Sequence, residues 1–144
     1  MKNLVIRAAQ LWDLDDVVQI AARPFAARWS RQAYAEEVVR TDSIFLVADA
    51  GSARGYLVAR RGHGSVDLLD LAAAQDGTGI GRALWQALIA AARAQGVPRI
   101  LLEVSAANAR ARLFYVRAGA QVVGRRPKFY NDGSDAILMD YPLS

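Results

Sequence analysis

Residues 77–82 read Gly-Thr-Gly-Ile-Gly-Arg, three glycines in five positions, and the patterns on either side show what this loop connects. Before it, residues 68–74 form a mostly apolar run of the kind expected for a buried strand. After it, apolar residues recur at helical spacing over 84–92, and Gly96 ends the helix. The sequence therefore predicts a strand that turns through glycines into a helix N-terminus.

Such a unit leaves the first N–H groups of the helix without partners, with the positive end of the helix dipole behind them. This arrangement binds phosphate. Two familiar phosphate loops do not fit. The P-loop needs a Gly-Lys-Ser/Thr that does not follow, and the dinucleotide fingerprint would have Arg82 in place of its third glycine. Taken alone, the loop is as consistent with a turn that binds nothing as with a phosphate site.

Composition limits the classes of protein that the chain can be. Its 144 residues suffice for a single domain, 1–144, and no apolar run is long enough for a membrane span. The N-terminus reads as a first strand and not as a signal peptide. The absence of cysteine excludes disulfides and an acyl-cysteine intermediate, and fits a cytoplasmic location. With a single histidine, neither a zinc site nor a Ser-His-Asp triad has support, so we expect no metal.

The order of predicted elements is that of a mixed α/β domain around one central sheet. Asp13, Ser30 and Asn108 are the predicted N-caps of three helices. The turn 131–133, Asn-Asp-Gly, is predicted to join the last two strands as a hairpin. The predicted strands cover 4–8, 44–48, 55–60, 68–74, 100–104, 121–130 and 135–141, and the predicted helices begin near 14, 31, 80 and 109.

Two side chains beyond the loop are of the types that carry acid–base chemistry. In the strand 100–104, alternation places Glu103 on the face opposite Ile100 and Leu102. A carboxylate in a mostly apolar strand beside a phosphate loop is costly unless it is hydrated or paired. In the following helix, Asn108 and Tyr115 share a face. Each of these residues also has an ordinary structural explanation: an exposed glutamate, a helix cap and a packed tyrosine.

Together these residues resemble the GNAT family of acetyl-CoA-dependent N-acetyltransferases over roughly residues 4–120, most specifically at 77–84. From Glu103 onward the chain looks like the RimI branch of that family, which acetylates the N-terminal alanine of a small-subunit ribosomal protein. The residues behind this closer likeness include 102–104, Asn108 with Tyr115, and the pattern of 125–139. The resemblance implies a central, mostly antiparallel sheet, a splayed parallel pair of strands at the cofactor site, and about four flanking helices.

The resemblance also implies roles for individual residues. Glu103 would accept the proton of the substrate amine and Tyr115 would donate a proton to the leaving thiolate. The backbone of 77–82 would hold the pyrophosphate of acetyl-CoA, and the strand 71–73 would pair with its pantetheine arm. The implied cofactor-binding residues are Leu71, Ala72, Ala73, Gly77, Thr78, Gly79, Ile80, Gly81, Arg82 and Asn108.

Two features depart from the family pattern or bear on the substrate. Asp76 stands where the family loop usually carries Gln or Arg, and it would repel a pyrophosphate unless it points to solvent or pairs with an arginine. The net charge is +4, and residues 125–128 form the one concentrated basic run. That run would repel a basic peptide if it faced the groove, so we expect its two arginines to pack against the hairpin or face solvent. Asp70, Glu103 and Asp135 are the acidic candidates for the groove.

Two rival functions stay open from the sequence. One is a GNAT enzyme acting on a small-molecule amine, and the other is a basic module that binds RNA or a nucleotide without catalysis. The preferred interpretation is transfer of an acetyl group to a protein N-terminal peptide, with a ribosomal protein as partner. It expects no membrane and no specific nucleic acid, and it leaves the oligomeric state open.

Overall fold

The computed structural model describes residues 3–143, which form seven strands and four helices. The strands are β1 (Val5–Ala8), β2 (Ser43–Asp49), β3 (Ala53–Arg61), β4 (Val66–Ala73), β5 (Arg99–Ser105), β6 (Gln121–Arg126) and β7 (Ala136–Pro142). The helices are α1 (Leu14–Ala21), α2 (Arg31–Val39), α3 (Ile80–Gln95) and α4 (Ala109–Ala118).

All seven strands belong to one sheet, in the order β1-β2-β3-β4-β5-β7-β6. Every neighbouring pair is antiparallel except β4 and β5. These two run parallel and pair over only three residues, from Val66 with Ile100 to Leu68 with Leu102. Beyond that point the strands separate. The predicted mixed sheet, with its splayed parallel pair, is confirmed.

A β-bulge in β4 decides which side chains face the separated region. Val58 of β3 pairs with Asp70, and the next residue, Ala59, pairs with Leu68, so Leu69 is the extra residue. A bulge shifts the alternation of side chains by one position. Leu68 and Leu71 therefore both pack on the side of α3, whereas Asp70 faces α1 and α2.

The core lies on both faces of the sheet. On one face α3 buries Leu84, Trp85 and Leu88, each no more than 1% exposed. Burial of a side chain of this size stabilises the fold by about 1.5–3 kcal/mol. On the other face α1 and α2 cover β2 and β3, where the rings of Tyr34 and Tyr56 pack edge to face. The two layers fix β4 and the start of α3 relative to each other.

Three predicted caps have different outcomes. The Ser30 hydroxyl accepts a hydrogen bond from the N–H of Ala33, and the Asn108 side chain accepts one from Ala111, so both N-caps are confirmed. Asp13 stands at the predicted N-cap position of α1, but its side chain makes no capping hydrogen bond to that helix. Instead its carboxylate accepts two hydrogen bonds of 2.8 Å from Arg7, which ties β1 to the start of α1.

The last hairpin is shorter in its first strand than predicted. β6 ends at Arg126 and not at residue 130, and the connection covers 127–135 instead of the three-residue turn at 131–133. Pro127 has no N–H to donate to a ladder, and Lys128 adopts a left-handed φ of +50°. The N–H of Lys128 donates to the Asp135 carboxylate instead of to β7. A nine-residue loop therefore extends from this end of the sheet.

Candidate active site

The separation of β4 from β5 opens a cleft of about 530 Å³ between the C-terminal half of β4, the start of α3 and the first turns of α4. The segment that joins α1 to α2 forms a further wall. All ten predicted cofactor-binding residues line this cleft, and so does Tyr115. The predicted residues in the lining are Leu71, Ala72, Ala73, Gly77, Thr78, Gly79, Ile80, Gly81, Arg82, Asn108 and Tyr115. Glu103 is not part of it.

The start of α3 offers backbone N–H groups to the cleft. Its N-cap is Gly79, in a left-handed conformation (φ 81°), and no side chain caps the helix, in contrast to α2 and α4. The N–H groups of Ile80, Gly81 and Arg82 lie in the first turn and have no intrahelical acceptor. A Cβ built on Gly77 or Gly79 meets no atom within 4 Å, so the space over the loop is open. This geometry fits a diphosphate group.

The exposed edge of β4 forms another wall of the cleft. The N–H of Ala74 donates to Arg54 on β3, and alternation along the strand then turns the backbone groups of Ala73 and Leu71 away from β3. These groups face the gap that β5 leaves. The carbonyl of Ala73 already accepts a hydrogen bond from the Arg23 guanidinium at 2.5 Å. A ligand that pairs with this carbonyl therefore uses its second lone pair or displaces Arg23.

Two arginines offset the negative charge of Asp76 within the cleft. Its carboxylate lies 3.2 Å from the Arg23 guanidinium and 3.7 Å from that of Arg110. With Arg82, three arginines and one aspartate surround the end of the cleft nearest the glycine loop. Asp76 therefore pairs with arginine, as an acidic residue beside a pyrophosphate site would need to do. The balance of charge at this end of the cleft therefore favours an anion.

Asn108 and Tyr115 reach the cleft from α4. The cap at Asn108 uses the side-chain oxygen, so its NH₂ group is the part left to contact a ligand. Tyr115 is only 7% exposed, and its ring packs against Trp85 at 5.5 Å between centroids. Burial and the negative charge of Asp70 raise the pKa of Tyr115, so its hydroxyl keeps its proton at neutral pH.

Glu103 lies on the opposite face of the sheet from Tyr115. Ile100, Leu102 and Val104 pack toward α3 and α4, as alternation predicts, and Glu103 points away from them. It is the first residue of β5 beyond the pairing with β4. Its side chain is 35% exposed and lies 3.4 Å from Arg126. Glu103 and Tyr115 therefore do not share the cleft, and a molecule that meets both must pass through the gap between β4 and β5.

Sequence reasoning missed two features. Arg23 had no assigned role, and nothing in its local sequence marks it as a cleft residue. Asp70 was an acidic candidate for the groove, but its contacts were not foreseen. It accepts hydrogen bonds from the hydroxyls of Tyr34 and Tyr56, on two other elements, and alternation without the bulge at Leu69 would place it on the wrong face.

Comparison with known sequences decides the family. The sequence model of the Acetyltransferase (GNAT) family matches residues 14–120. An uncharacterised N-acetyltransferase of Methanocaldococcus jannaschii is 32% identical over 145 residues, covering 94% of this chain and 90% of that protein. The chain belongs to the GNAT family. It is an acetyl-CoA-dependent N-acetyltransferase.

Other GNAT proteins are similar over nearly their whole length. The ribosomal protein bS18-alanine N-acetyltransferase of Escherichia coli is 29% identical over 96% of this chain and 97% of that protein. The crystal structure of the ribosomal-protein-S18-alanine N-acetyltransferase from Escherichia coli superposes with a TM-score of 0.87 at 27% identity, covering 98% of this chain and 94% of that one. The GNAT fold thus extends across residues 3–143.

Within residues 3–143, no three or more His, Cys, Asp or Glu side chains lie together as a metal site would require. In the same part of the chain, the helices are too short or too polar to cross a bilayer.

Proposed function

We propose that this GNAT enzyme acetylates protein α-amines, and that its substrate is the N-terminal alanine of a small-subunit ribosomal protein. The observation that carries the proposal is the gap between β4 and β5, which has Tyr115 on one face of the sheet and Glu103 on the other. Similarity to ribosomal-protein-alanine N-acetyltransferases over nearly the whole chain supports the choice of substrate. The absence of cysteine fits a reducing cytoplasm.

The chain's own groups hold the cosubstrate in this proposal. The N–H groups at the start of α3 bind the pyrophosphate, and Arg82 and Arg110 add positive charge beside it. The edge of β4 at residues 71–73 orients the pantetheine arm, and the Asn108 amide contacts it. Acetyl-CoA supplies the activated acetyl thioester. The glycine loop and the strand edge together place that thioester at the gap.

The substrate amine approaches from the face of the sheet that carries Glu103. An α-amine with a pKa of about 7.7–8.0 costs about 1 kcal/mol to deprotonate at neutral pH, whereas a lysine amine near 10.4 costs more than about 4 kcal/mol. A single carboxylate is adequate for the first amine and strained by the second. Glu103 therefore accepts the proton of an α-amine, and Arg126, 3.4 Å away, must yield to the incoming cation.

Tyr115 acts on the other side of the gap. Its phenol is protonated at neutral pH, so it can donate that proton to the sulfur as the thiol leaves, although burial and Asp70 raise the pKa of Tyr115 and make it a weaker acid than an exposed tyrosine. Its ring is held between Trp85 and Phe114, with centroids 5.5 and 5.1 Å away. Backbone N–H groups of β4 stabilise the charge that develops on the carbonyl oxygen.

The basic run 125–128 is compatible with a basic substrate peptide. Arg125 lies 2.8 Å from the Asp135 carboxylate, and Arg126 pairs with Glu103 while its guanidinium stacks over the Phe129 ring. Asp135, within the hairpin, offsets the charge of Arg125, and Glu103, on β5, offsets that of Arg126 until the substrate amine takes its place. Repulsion of a cationic peptide by these two arginines is correspondingly weakened.

Incubation with acetyl-CoA and a panel of amines tests the proposal. The panel contains a ribosomal-protein peptide that begins with alanine, the same peptide with a blocked N-terminus and an internal lysine, and free polyamine and amino-sugar substrates. Mass spectrometry is expected to show one added acetyl group, on the α-amine of the first peptide alone. Faster transfer to a free amine would assign the enzyme to small molecules, and salt-sensitive RNA binding without transfer would favour the binding module.

A further inference from the structure

Among residues 3–143, three acidic side chains are buried, and one of them has no cation beside it. Asp13 pairs with Arg7, and Glu37 pairs with Arg60. Asp70 is 7% exposed, and none of the ion pairs within residues 3–143 includes it. Burying a carboxylate without a cation costs free energy. Because perturbed carboxylates cluster at functional sites, Asp70, which lies beside the proposed reaction site, is a candidate for a role in the reaction.

The partners of Asp70 are two hydroxyls and backbone N–H groups. Its Oδ2 lies 2.9 Å from the Tyr34 hydroxyl and 2.5 Å from the Tyr56 hydroxyl, and its Oδ1 accepts a hydrogen bond from the N–H of Ala27 at 3.3 Å. The two hydroxyl oxygens are themselves 3.0 Å apart. Three oxygens thus form a closed ring of three contacts, which we call the Asp70 ring.

The hydrogens of the Asp70 ring can be counted. Each tyrosine hydroxyl carries one proton, and an ionised carboxylate carries none. When Asp70 is ionised, two protons therefore serve three oxygen–oxygen contacts, and one contact lacks a hydrogen. When Asp70 is protonated, every contact has one, and each oxygen donates once around the ring. The geometry is thus suited to take up a single proton.

The position of the Asp70 ring connects it to the reaction. The bulge at Leu69 turns Asp70 to the face of the sheet that also carries Glu103, directly before the cleft residues 71–73. The negative charge of Asp70 contributes to the raised pKa of Tyr115. Burial raises the pKa of Asp70. This effect outweighs the hydrogen bonds from the Tyr56 and Tyr34 hydroxyls, which lower the pKa. A base with a raised pKa titrates nearer to neutral pH.

We propose that the Asp70 ring is a proton-accepting group of the acetyl transfer, an inference that rests on the proposed function. The bond between nitrogen and the acetyl carbon forms, and the bond between that carbon and sulfur breaks. Glu103 takes the first proton of the substrate ammonium, before attack. The second proton, which nitrogen releases once its bond to carbon has formed, passes to the Asp70 carboxylate through intervening hydroxyl or water oxygens. The leaving sulfur takes the Tyr115 proton, and the proton held by the ring then restores the Tyr115 hydroxyl.

The pH dependence of kcat at saturating peptide and acetyl-CoA tests this assignment. At low pH the wild type is expected to lose activity through several ionisations, one of which is that of Asp70. Asp70→Asn should lose this ionisation alone and lower kcat about 100-fold, with the affinity for acetyl-CoA unchanged. Glu103→Gln should keep the ionisation that Asp70→Asn removes. If Asp70→Asn keeps the full low-pH profile of the wild type, the assignment to Asp70 is overturned.

A measurement that needs no turnover separates this inference from the proposed function. The infrared C=O band of a protonated carboxyl, isolated as wild type minus Asp70→Asn, should persist well above the ordinary aspartate pKa of about 3.9. Tyr56→Phe, which breaks the ring while leaving the Asp70 carboxyl, should shift that band and its titration. Loss of that band at the ordinary aspartate pKa would overturn the inference, whereas a titrating Asp70 in an enzyme that acetylates no amine would overturn the proposed function alone.

Discussion

Gly55 is the position where one added methyl group tests the packing beneath the glycine loop. It lies on β3 under the first turn of α3, and a Cβ built on it would be 2.5 Å from Cγ2 of Ile80 and 3.1 Å from the Ala72 carbonyl oxygen. Ordinary contacts between carbon atoms need about 3.5–4.0 Å, so the start of α3 must move by about 1 Å in Gly55→Ala. That movement displaces the N–H groups proposed to bind the pyrophosphate.

The expected cost follows from this overlap. Overpacking of a filled core destabilises by about 1–3 kcal/mol, which corresponds to a fall in Tm of about 2–10 °C for a domain of this size. Loss of one hydrogen bond to a charged phosphate weakens binding by roughly tenfold or more. Thermal unfolding and calorimetric titration with acetyl-CoA measure the two effects. Gly64→Ala is the matched control, because a Cβ there meets no atom within 4 Å. A Gly55→Ala protein with wild-type Tm and Kd would refute the reasoning.

Three further predictions concern charge, catalysis and pH. Arg110→Ala should weaken binding of acetyl-CoA about two- to fivefold in calorimetry. It should not change binding of S-acetyl-pantetheine, which lacks the phosphates. Asp76→Asn should tighten binding of acetyl-CoA. Tyr115→Phe should lower kcat about 10²–10⁴-fold in a thiol-release assay while the Kd of acetyl-CoA stays unchanged. Glu37→Gln should lower the free energy of unfolding at pH 7 by about 1–3 kcal/mol in urea denaturation. Burial raises the pKa of Glu37, but the hydrogen bonds from Arg60 outweigh burial and lower the pKa overall. The difference in unfolding free energy between wild type and Glu37→Gln should therefore be complete above about pH 4.3 and shrink as the pH falls.

Each of these predictions has an outcome that contradicts it. Equal losses for acetyl-CoA and S-acetyl-pantetheine would show that Arg110→Ala damages the fold and not a phosphate contact. Full turnover by Tyr115→Phe would remove Tyr115 from the mechanism. A difference between wild type and Glu37→Gln that is constant from pH 7 to pH 3 would show that the Glu37 carboxylate charge contributes nothing to stability.

Local patterns in the sequence were sufficient to predict most elements of the fold. The apolar run before Gly77 and the helical stripe after Gly79 predicted β4 and α3, because each depends on the spacing of nearby residues. The Ser30 and Asn108 caps were predicted for the same reason. Asp13 occupies the predicted N-cap position, but its side chain does not cap α1, because Arg7, on a different element, donates two charge-assisted hydrogen bonds to its carboxylate.

Features that depend on contacts between distant elements escaped the sequence. The bulge at Leu69 is defined by its pairing with β3, and it decides which face Asp70 takes. The pairing of Asp76 with Arg110 joins the glycine loop to the first turn of α4, 34 positions further along the chain. Gly55 matters only because Ile80 packs on it. None of these relations leaves a local pattern in the sequence.

The claim on which the account depends is that the backbone N–H groups at the start of α3 bind the diphosphate of acetyl-CoA. Titration of the ¹⁵N-labelled, 15.6 kDa protein with acetyl-CoA, followed by amide resonances, tests it directly. The account predicts saturable binding, with the largest downfield amide proton shifts at residues 78–82 and smaller ones at 71–73. Saturable binding that leaves the amides of 78–82 unmoved, or no binding at all, would contradict it.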